Sequence, residues 1–240
     1  MRFFVQTDVG KVRPLNEDAY YLPKPGERIC AIADGMGGHN AGEVASAMAV
    51  QVFSDELRSC NVIHGMVMRR AVEMANAAIH AHAGQDEALS GMGTTFTGLA
   101  VNGGNIHIAH VGDSRCYLIR NGAIMRLTLA HTLVEEMVLK GLITPHEAKH
   151  HPRRNYITRA LGTAPRVEVD LIQVEKQKGD IFFLCTDGLT NHVEDNAILD
   201  VTLGEGSWED KLRTLIDYAL QSGGSDNITA MYAVAEEDGL

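Results

Sequence analysis

Hydrophobic positions along the chain follow two periods, and the switches between them predict the order of elements. In residues 42–57, Val44, Met48, Val52 and Phe53 recur at helical spacing. In 64–83 a second apolar stripe runs through Val67, Ala71, Met74, Ala78 and Ile79. Four strand-like runs then arrive together, at 94–101, 106–111, 116–120 and 124–127. The last two flank Asn121-Gly122, a pair suited to the left-handed positions of a tight hairpin. Residues 131–151 read as a helical insert. Thr132 with Glu135, and Thr144 with Glu147, have the spacing of capping boxes, and Pro145 suits a first helical turn. Lys140-Gly141 joins the two short helices so predicted. Strand-like runs follow at 166–174 and 180–186, then a helix at 195–203. A last helix opens at Ser207, turns Leu212, Leu215, Ile216 and Ala219 inward and stops at Gly223-Gly224, before a closing strand at 228–235. Strands bunched in this way, without regularly alternating helices, predict antiparallel meanders rather than crossover units. The expected class is α+β, a sandwich of antiparallel sheets covered by helices.

Three of the apolar runs end on an aspartate. Residues 29–33 lead into Asp34-Gly35, 106–111 into Gly112-Asp113 and 181–186 into Asp187-Gly188, while Asp226-Asn227 feeds the run 228–234 in reverse. If these strand ends converge, the carboxylates repel one another and lose hydration, a cost that a cation offsets. Glu17 and Asp18 extend the acidic set, and no histidine lies beside any member at ligand spacing. Oxygen ligands alone select magnesium or manganese over zinc. Two such ions about 3.5–4 Å apart can clamp a phosphoryl oxygen and ionise a water for in-line attack. A single Asp-Gly pair is an ordinary turn; recurrence at several strand ends is what points to metal. At Gly35 the missing side chain also lets the backbone carbonyl turn inward as a further ligand. The glycine-rich run 34–39 lacks the Gly-Lys-Ser/Thr ending of a nucleotide-binding P-loop.

Composition narrows the picture. The 240 residues are 45% apolar, enough for a sizeable core, and show no linker or internal repeat that would divide 1–240 into more than one domain. A net charge of −10 without any Lys/Arg-rich run argues against nucleic-acid binding. No apolar stretch suits a signal peptide or a membrane span, so the expected place is the cytoplasm, without membrane insertion. The cysteines form no C-x-x-C pair, and Cys30 and Cys185 sit in apolar runs as buried free thiols. His80, His82, His146, His150 and His151 include i,i+4 pairs, but no cysteine or carboxylate completes a zinc set, so they read as surface residues.

The acidic strand ends belong to longer segments. These are Thr7-Asp8-Val9-Gly10 through Arg13-Pro14-Leu15-Asn16-Glu17-Asp18, residues 33–39 with Ala41-Gly42-Glu43, and Gly91-Met92-Gly93-Thr94-Thr95. Next come His110-Val111-Gly112-Asp113-Ser114-Arg115, Cys185-Thr186-Asp187-Gly188-Leu189-Thr190 and Gly224-Ser225-Asp226-Asn227-Ile228-Thr229. Together, in this order and across nearly the whole chain, they resemble the PP2C (PPM) family of metal-dependent Ser/Thr protein phosphatases in its compact bacterial form. The resemblance implies an αββα sandwich, two antiparallel sheets flanked by helices with metals at one sheet edge, and makes the insert, about 131–160, a flap beside the site. It implies Asp34 as the carboxylate bridging two ions, Gly35 as a carbonyl ligand, and Asp187 and Asp226 as ligands of the second ion. Asp113 with Asp187 matches a weaker third site. Glu17 and Asp18 match an acidic pair that orders metal-bound water, and Arg13 matches the arginine that grips the substrate phosphate. Where eukaryotic relatives carry a histidine acid directly after Asp-Gly, this chain has Met36, leaving His39 as the candidate proton donor. Ala130 stands before His131 where many members have an aspartate. Gly93-Thr94-Thr95 reads as tight backbone packing rather than a nucleophile.

The resulting expectation is hydrolysis of phosphoserine and phosphothreonine in proteins, with Mg²⁺ or Mn²⁺, by a monomer that opposes a membrane Ser/Thr kinase. Two other readings compete. A non-catalytic phosphoprotein-binding pseudophosphatase would be expected to lose metal ligands, and Asp34, Asp187 and Asp226 are all present. A metal-dependent nuclease shares the two-ion chemistry but conflicts with the acidic composition.

Overall fold

The computed structural model describes residues 1–37, 41–58 and 60–235. Two antiparallel sheets form its centre. One has the order β1 (Arg2–Asp8), β11 (Ile228–Val234), β10 (Ile181–Cys185), β7 (Arg115–Arg120) and β8 (Ala123–Arg126). The other runs β2 (Asp18–Tyr21), β3 (Ile29–Met36), β5 (Phe96–Asn102), β6 (Asn105–Val111) and β9 (Asp170–Glu175), with β4 (Gly93–Thr94) paired to the end of β3. Helices α1 (Ala41–Arg58) and α2 (Gly65–Ala83) cover the second sheet; α6 (Asp195–Leu203) and α7 (Trp208–Gln221) cover the first.

Strand alternation separates the layers. In β3, Ile29, Ala31 and Ala33 face α1 and α2, while Cys30 and Ile32 face the opposite sheet. Between the sheets, Cys30, Ile32, Leu99 and Ile108 meet Cys116, Leu118, Phe182, Leu184 and Met231 in a core with no charged member. The outer core under α7 gathers Tyr117, Phe183 and Tyr232 with Leu212, Leu215, Ile216 and Ala219, the helix face expected from the sequence. The αββα sandwich is therefore observed as expected. The Asn121-Gly122 hairpin is also present, with both residues left-handed at φ 53° and 76°.

Four local expectations are corrected. On α1 the deepest face is Ala45, Ala49 and Phe53, and Val44, Met48 and Val52 lie at its flank, because small residues let the helix sit close to the sheet. On α2, Met74 is exposed, and Asn76 is buried in the stripe, bonding the backbone at Gly162 and Ala164. Strand β9 starts at Asp170 rather than 166, its pairing with β6 beginning at His110. Thr132 caps α3 (Leu133–Leu139) through the Glu135 amide in one direction only; the Glu135 carboxylate lies 3.9 Å from Arg126 instead. The reciprocal box at Thr144, opening α4 (Pro145–His150), forms fully. Among the described residues no helix is long and apolar enough to cross a membrane.

Candidate active site

Register brings the acidic strand ends to one end of the sandwich. Asp18 on β2 lies directly across from Asp34 on β3, an opposition of like charges that destabilises a sheet unless something else compensates. Strand β10 ends at Cys185 opposite Ala230, just inside the start of β11, which places Asp187 beside Asp226. Asp187 opens α5 (Asp187–Thr190), and Gly188 lets that turn press on β11, because a Cβ there would stand 2.0 Å from the Asn227 carbonyl. Gly35 has a similar reason: a Cβ would meet the carbonyls of Gly42 and Glu17 at 2.2 and 2.5 Å.

Polar side chains from distant parts of the chain hold the acids in place. One carboxylate oxygen of Asp18, Oδ2, accepts from the hydroxyls of Thr186 at 2.9 Å and Thr229 at 2.6 Å. Thr229 in turn meets Thr7, which also takes a hydrogen bond from Asn16. The Asn227 side chain donates to the carbonyls of Val9 and Leu15 and accepts the Glu17 amide, tying the 9–17 loop to β11. Asp34 is fixed through its backbone: its amide donates to Thr95 Oγ1 and its carbonyl accepts from the Thr94 hydroxyl and the Thr95 amide. Thr94 and Thr95 thus serve packing and positioning, as the sequence suggests.

The electrostatics are those of a crowded acidic cluster. Burial, followed by the charges of Asp18, Asp187, Asp113 and Asp226, pushes the Asp34 carboxyl well above its ordinary range. Burial raises Asp18 to about 7, although the two threonine hydroxyls pull the other way. Asp113 also rises to about 7, through burial and then the Asp187 charge. Asp187 is raised by burial and then by Asp226, and Glu17 is raised chiefly by burial.

The donor set fits hard divalent cations. Oδ1 of Asp18 and Oδ1 of Asp113 are buried without a hydrogen-bond partner among the described residues, so the site holds desolvated acceptors and no protein donor for them. No three His, Cys, Asp or Glu side chains among the described residues close into a ready-made coordination shell. The oxygen donors that do converge are the kind that Mg²⁺-like ions take, with waters completing the shell.

Of the residues singled out from sequence, Asp34, Asp113, Asp187, Asp226, Asp18, Glu17, Gly35 and Arg13 come together here. Arg13 is 45% exposed at the mouth, its guanidinium donating to Asp226 Oδ2 at 2.9 Å and lying 3.8 Å from Glu17. His39 lies outside the described residues. Sequence reasoning missed the threonine cradle and the role of Asn227; the available signal was hydroxyls at inward positions of otherwise apolar runs, as at Thr186 and Thr229. It also missed His131. This histidine accepts the Gly112 amide on Nδ1 at 3.0 Å, and its Nε2–H faces Asp170 at 3.1 Å, tying the base of the insert to the loop that carries Asp113.

A family model described as Protein phosphatase 2C matches residues 11–231, nearly the full length of the elements that build this site. The chain belongs to the protein phosphatase 2C family. Protein phosphatase PhpP of Streptococcus pneumoniae is 38% identical over 246 residues, covering 99% of both chains. Serine/threonine phosphatase stp of Listeria welshimeri is 38% identical over 233 residues, covering 94% of this chain and 92% of its own. Among solved structures, the PstP catalytic domain in complex with two manganese ions superposes with a TM-score of 0.88 at 37% identity, covering 98% of each chain. The family's two antiparallel sheets and flanking helices are therefore the fold of this chain.

Proposed function

We propose that this chain hydrolyses phosphoserine and phosphothreonine in proteins, with two Mg²⁺ or Mn²⁺ ions and a weaker third. The observation that carries this reading is the convergence of Asp18, Asp34, Asp113, Asp187 and Asp226 at one end of the sandwich, the first four with raised carboxyl pKa values and Asp18 and Asp113 each with an unbonded buried oxygen. The two manganese ions of the PstP structure support it. Asp34 would serve both ions, Gly35 would add its backbone carbonyl, Asp187 and Asp226 would hold the second ion, and Asp113 with Asp187 would hold the weaker third. When bound, the ions supply positive charge that polarises the phosphoryl group and acidifies water.

The chain's own groups do the rest. Asp18, with one oxygen fixed by Thr186 and Thr229, offers Oδ1 as an oriented acceptor for a water proton, and Glu17 extends that acidic rim toward Arg13. Arg13 exchanges Asp226 for the substrate phosphate, to which its planar fork of donors is suited. His39 is assigned to donate a proton to the leaving alkoxide. The flap, about 131–160, is read as part of the same domain, and its base reaches the Asp113 loop through His131. The free cysteines support a reducing, cytoplasmic setting, where a membrane Ser/Thr kinase would supply the phosphoproteins. A binding domain without catalysis would gain nothing from so many desolvated carboxylates with open oxygens.

Phosphate release from a phosphothreonine peptide tests the reading. Release should require added Mn²⁺ or Mg²⁺ and vanish in Asp34→Asn; full activity after exhaustive chelation would overturn it.

A further inference from the structure

Asp187 and Asp226 stand in separate turns just beyond the last backbone rung between β10 and β11. That rung is made by two threonines: the Thr186 amide donates to the Thr229 carbonyl at 3.0 Å, and the Thr229 amide donates to Thr186 Oγ1 at 2.9 Å. Past it the ladder no longer ties the turns, so the spacing of the two carboxylates depends on contacts between the turns themselves. Arg13 steadies Asp226 by donating to its Oδ2 at 2.9 Å. To grip a substrate phosphate, Arg13 must leave that carboxylate. The Lys11 amide donates to the Gly224 carbonyl at 2.8 Å, but Lys11 belongs to the same loop as Arg13.

A clamp independent of that loop comes from His192. This residue follows Asn191, whose side chain donates to Asp187 Oδ2 at 3.0 Å. The His192 amide donates to the Leu189 carbonyl at 3.1 Å, which fixes its backbone to α5. Its Nε2 lies 2.9 Å from the hydroxyl of Ser225, the residue before Asp226, with the Ser225 amide donating to the same nitrogen at 3.4 Å. Among the described residues, these are the side-chain hydrogen bonds that join 187–192 to 223–226. The ring also lies against Gly223, where an added Cβ would stand 3.3 Å from Cε1. An amide can only donate, so Nε2 is the acceptor and the ring proton sits on Nδ1.

We propose that His192 is a positioning residue for the second ion, which rests on the reading of Asp187 and Asp226 as that ion's ligands. By clamping the Ser225 turn to the end of α5, it keeps Asp226 beside Asp187 when Arg13 turns to the substrate phosphate. His192 acts through Asp226 and touches neither substrate nor ion. A single acceptor of this kind is worth about three- to tenfold in the affinity of the site it orders.

Calorimetric titration of the chelator-stripped protein with Mn²⁺ tests the proposal, with Asp226→Asn marking which binding step belongs to the second ion. His192→Ala should weaken that step by about three- to tenfold. The first ion should bind as before, since Asp34 is held from the other side by Thr94 and Thr95. The Mn²⁺ concentration for half-maximal phosphatase activity should rise by the same factor. The sharper test is the place of the acceptor: Gln sets an amide oxygen where Nε2 stands, whereas Asn reaches only the place of Nδ1. His192→Gln should therefore restore second-ion affinity and His192→Asn should not, a contrast that general loosening of the loop would not produce. Unchanged affinity in His192→Ala, equal weakening of both ions, or equal behaviour of the Gln and Asn variants would overturn the proposal. Retention of both ions in Asp226→Asn would instead overturn the ligand reading, and the role of His192 with it.

Discussion

Strand β10 has one aspartate just before it and another just after it, and the two live under opposite conditions. Asp180 is fully buried, and Arg120 meets it with two donors at 2.7 Å each while the Gln177 amide adds a third at 2.7 Å. Asp187, beyond the other end, faces Asp226 and Asp34, and its side chain takes a bond from Asn191. One carboxylate is stabilised by a counter-ion that the chain itself provides. The other sits in a group where burial and neighbouring carboxylates raise the pKa of Asp34, Asp113 and Asp187, and where Asp18 and Asp113 each keep an oxygen unbonded. The difference separates structure from chemistry: a structural carboxylate is neutralised in the fold, whereas a functional one is left for an ion from solution.

Breaking the functional side should give the largest effect. Asp34→Asn or Asp187→Asn should lower kcat/KM for a phosphothreonine peptide by at least about 10³-fold. Each should at the same time raise the melting temperature of the chelator-treated protein, because a repulsive charge is gone. Steady-state kinetics and thermal melts check both halves. The structural side should respond the other way. Asp180→Ala should cost about 2–4 kcal/mol of stability, a drop of roughly 4–16 °C for a domain of this size, and leave metal affinity unchanged.

The proton donor offers a sharper, smaller test. His39→Asn should reduce turnover of a phosphothreonine peptide by about 10²-fold, but much less for an aryl phosphate whose leaving group needs no proton. Equal losses on both substrates would remove His39 from that role. Arg13→Ala should raise KM about tenfold with a smaller change in kcat, and Arg13→Lys should restore only part, since a point charge cannot reproduce the fork.

Dependence on pH distinguishes the two ends most gently. Asp18 and Asp113 have ordinary carboxyl values of 3.8 and folded values of about 7, so between these limits the folded state holds more protons than the unfolded one. Stability of the metal-free protein is therefore greatest at the acid side of that window and falls as pH rises through about 7. Melting temperature should decline from pH 5 to pH 8 after chelation, and saturating Mn²⁺ should remove the decline.

Much of this contrast was legible in the sequence because it is local. An apolar run ending in Asp-Gly is visible within a few residues, and the helix at 195–203, the α7 face and the Asn121-Gly122 turn are equally short-range. Asp18's cradle was not legible, since Thr186 and Thr229 reach it across 168 and 211 residues and only the fold unites them. The same holds for Asp180 and Arg120, which sequence leaves as unrelated charges. Strands β1 and β2 went unread because β1 alternates too little and β2 has four residues. The face of α1 was misjudged because larger side chains advertise burial more strongly than the alanines that allow close packing.

The central claim is that the acidic end is a set of partly protonated carboxylates made to take divalent ions. Calorimetric titration of chelator-stripped protein with Mn²⁺ near pH 6.5, in two buffers of different ionisation enthalpy, measures ions bound and protons released together. At least two ions per chain with net proton release, both lost in Asp34→Asn, is the predicted result. Binding without proton release, or binding that survives Asp34→Asn unchanged, would contradict it.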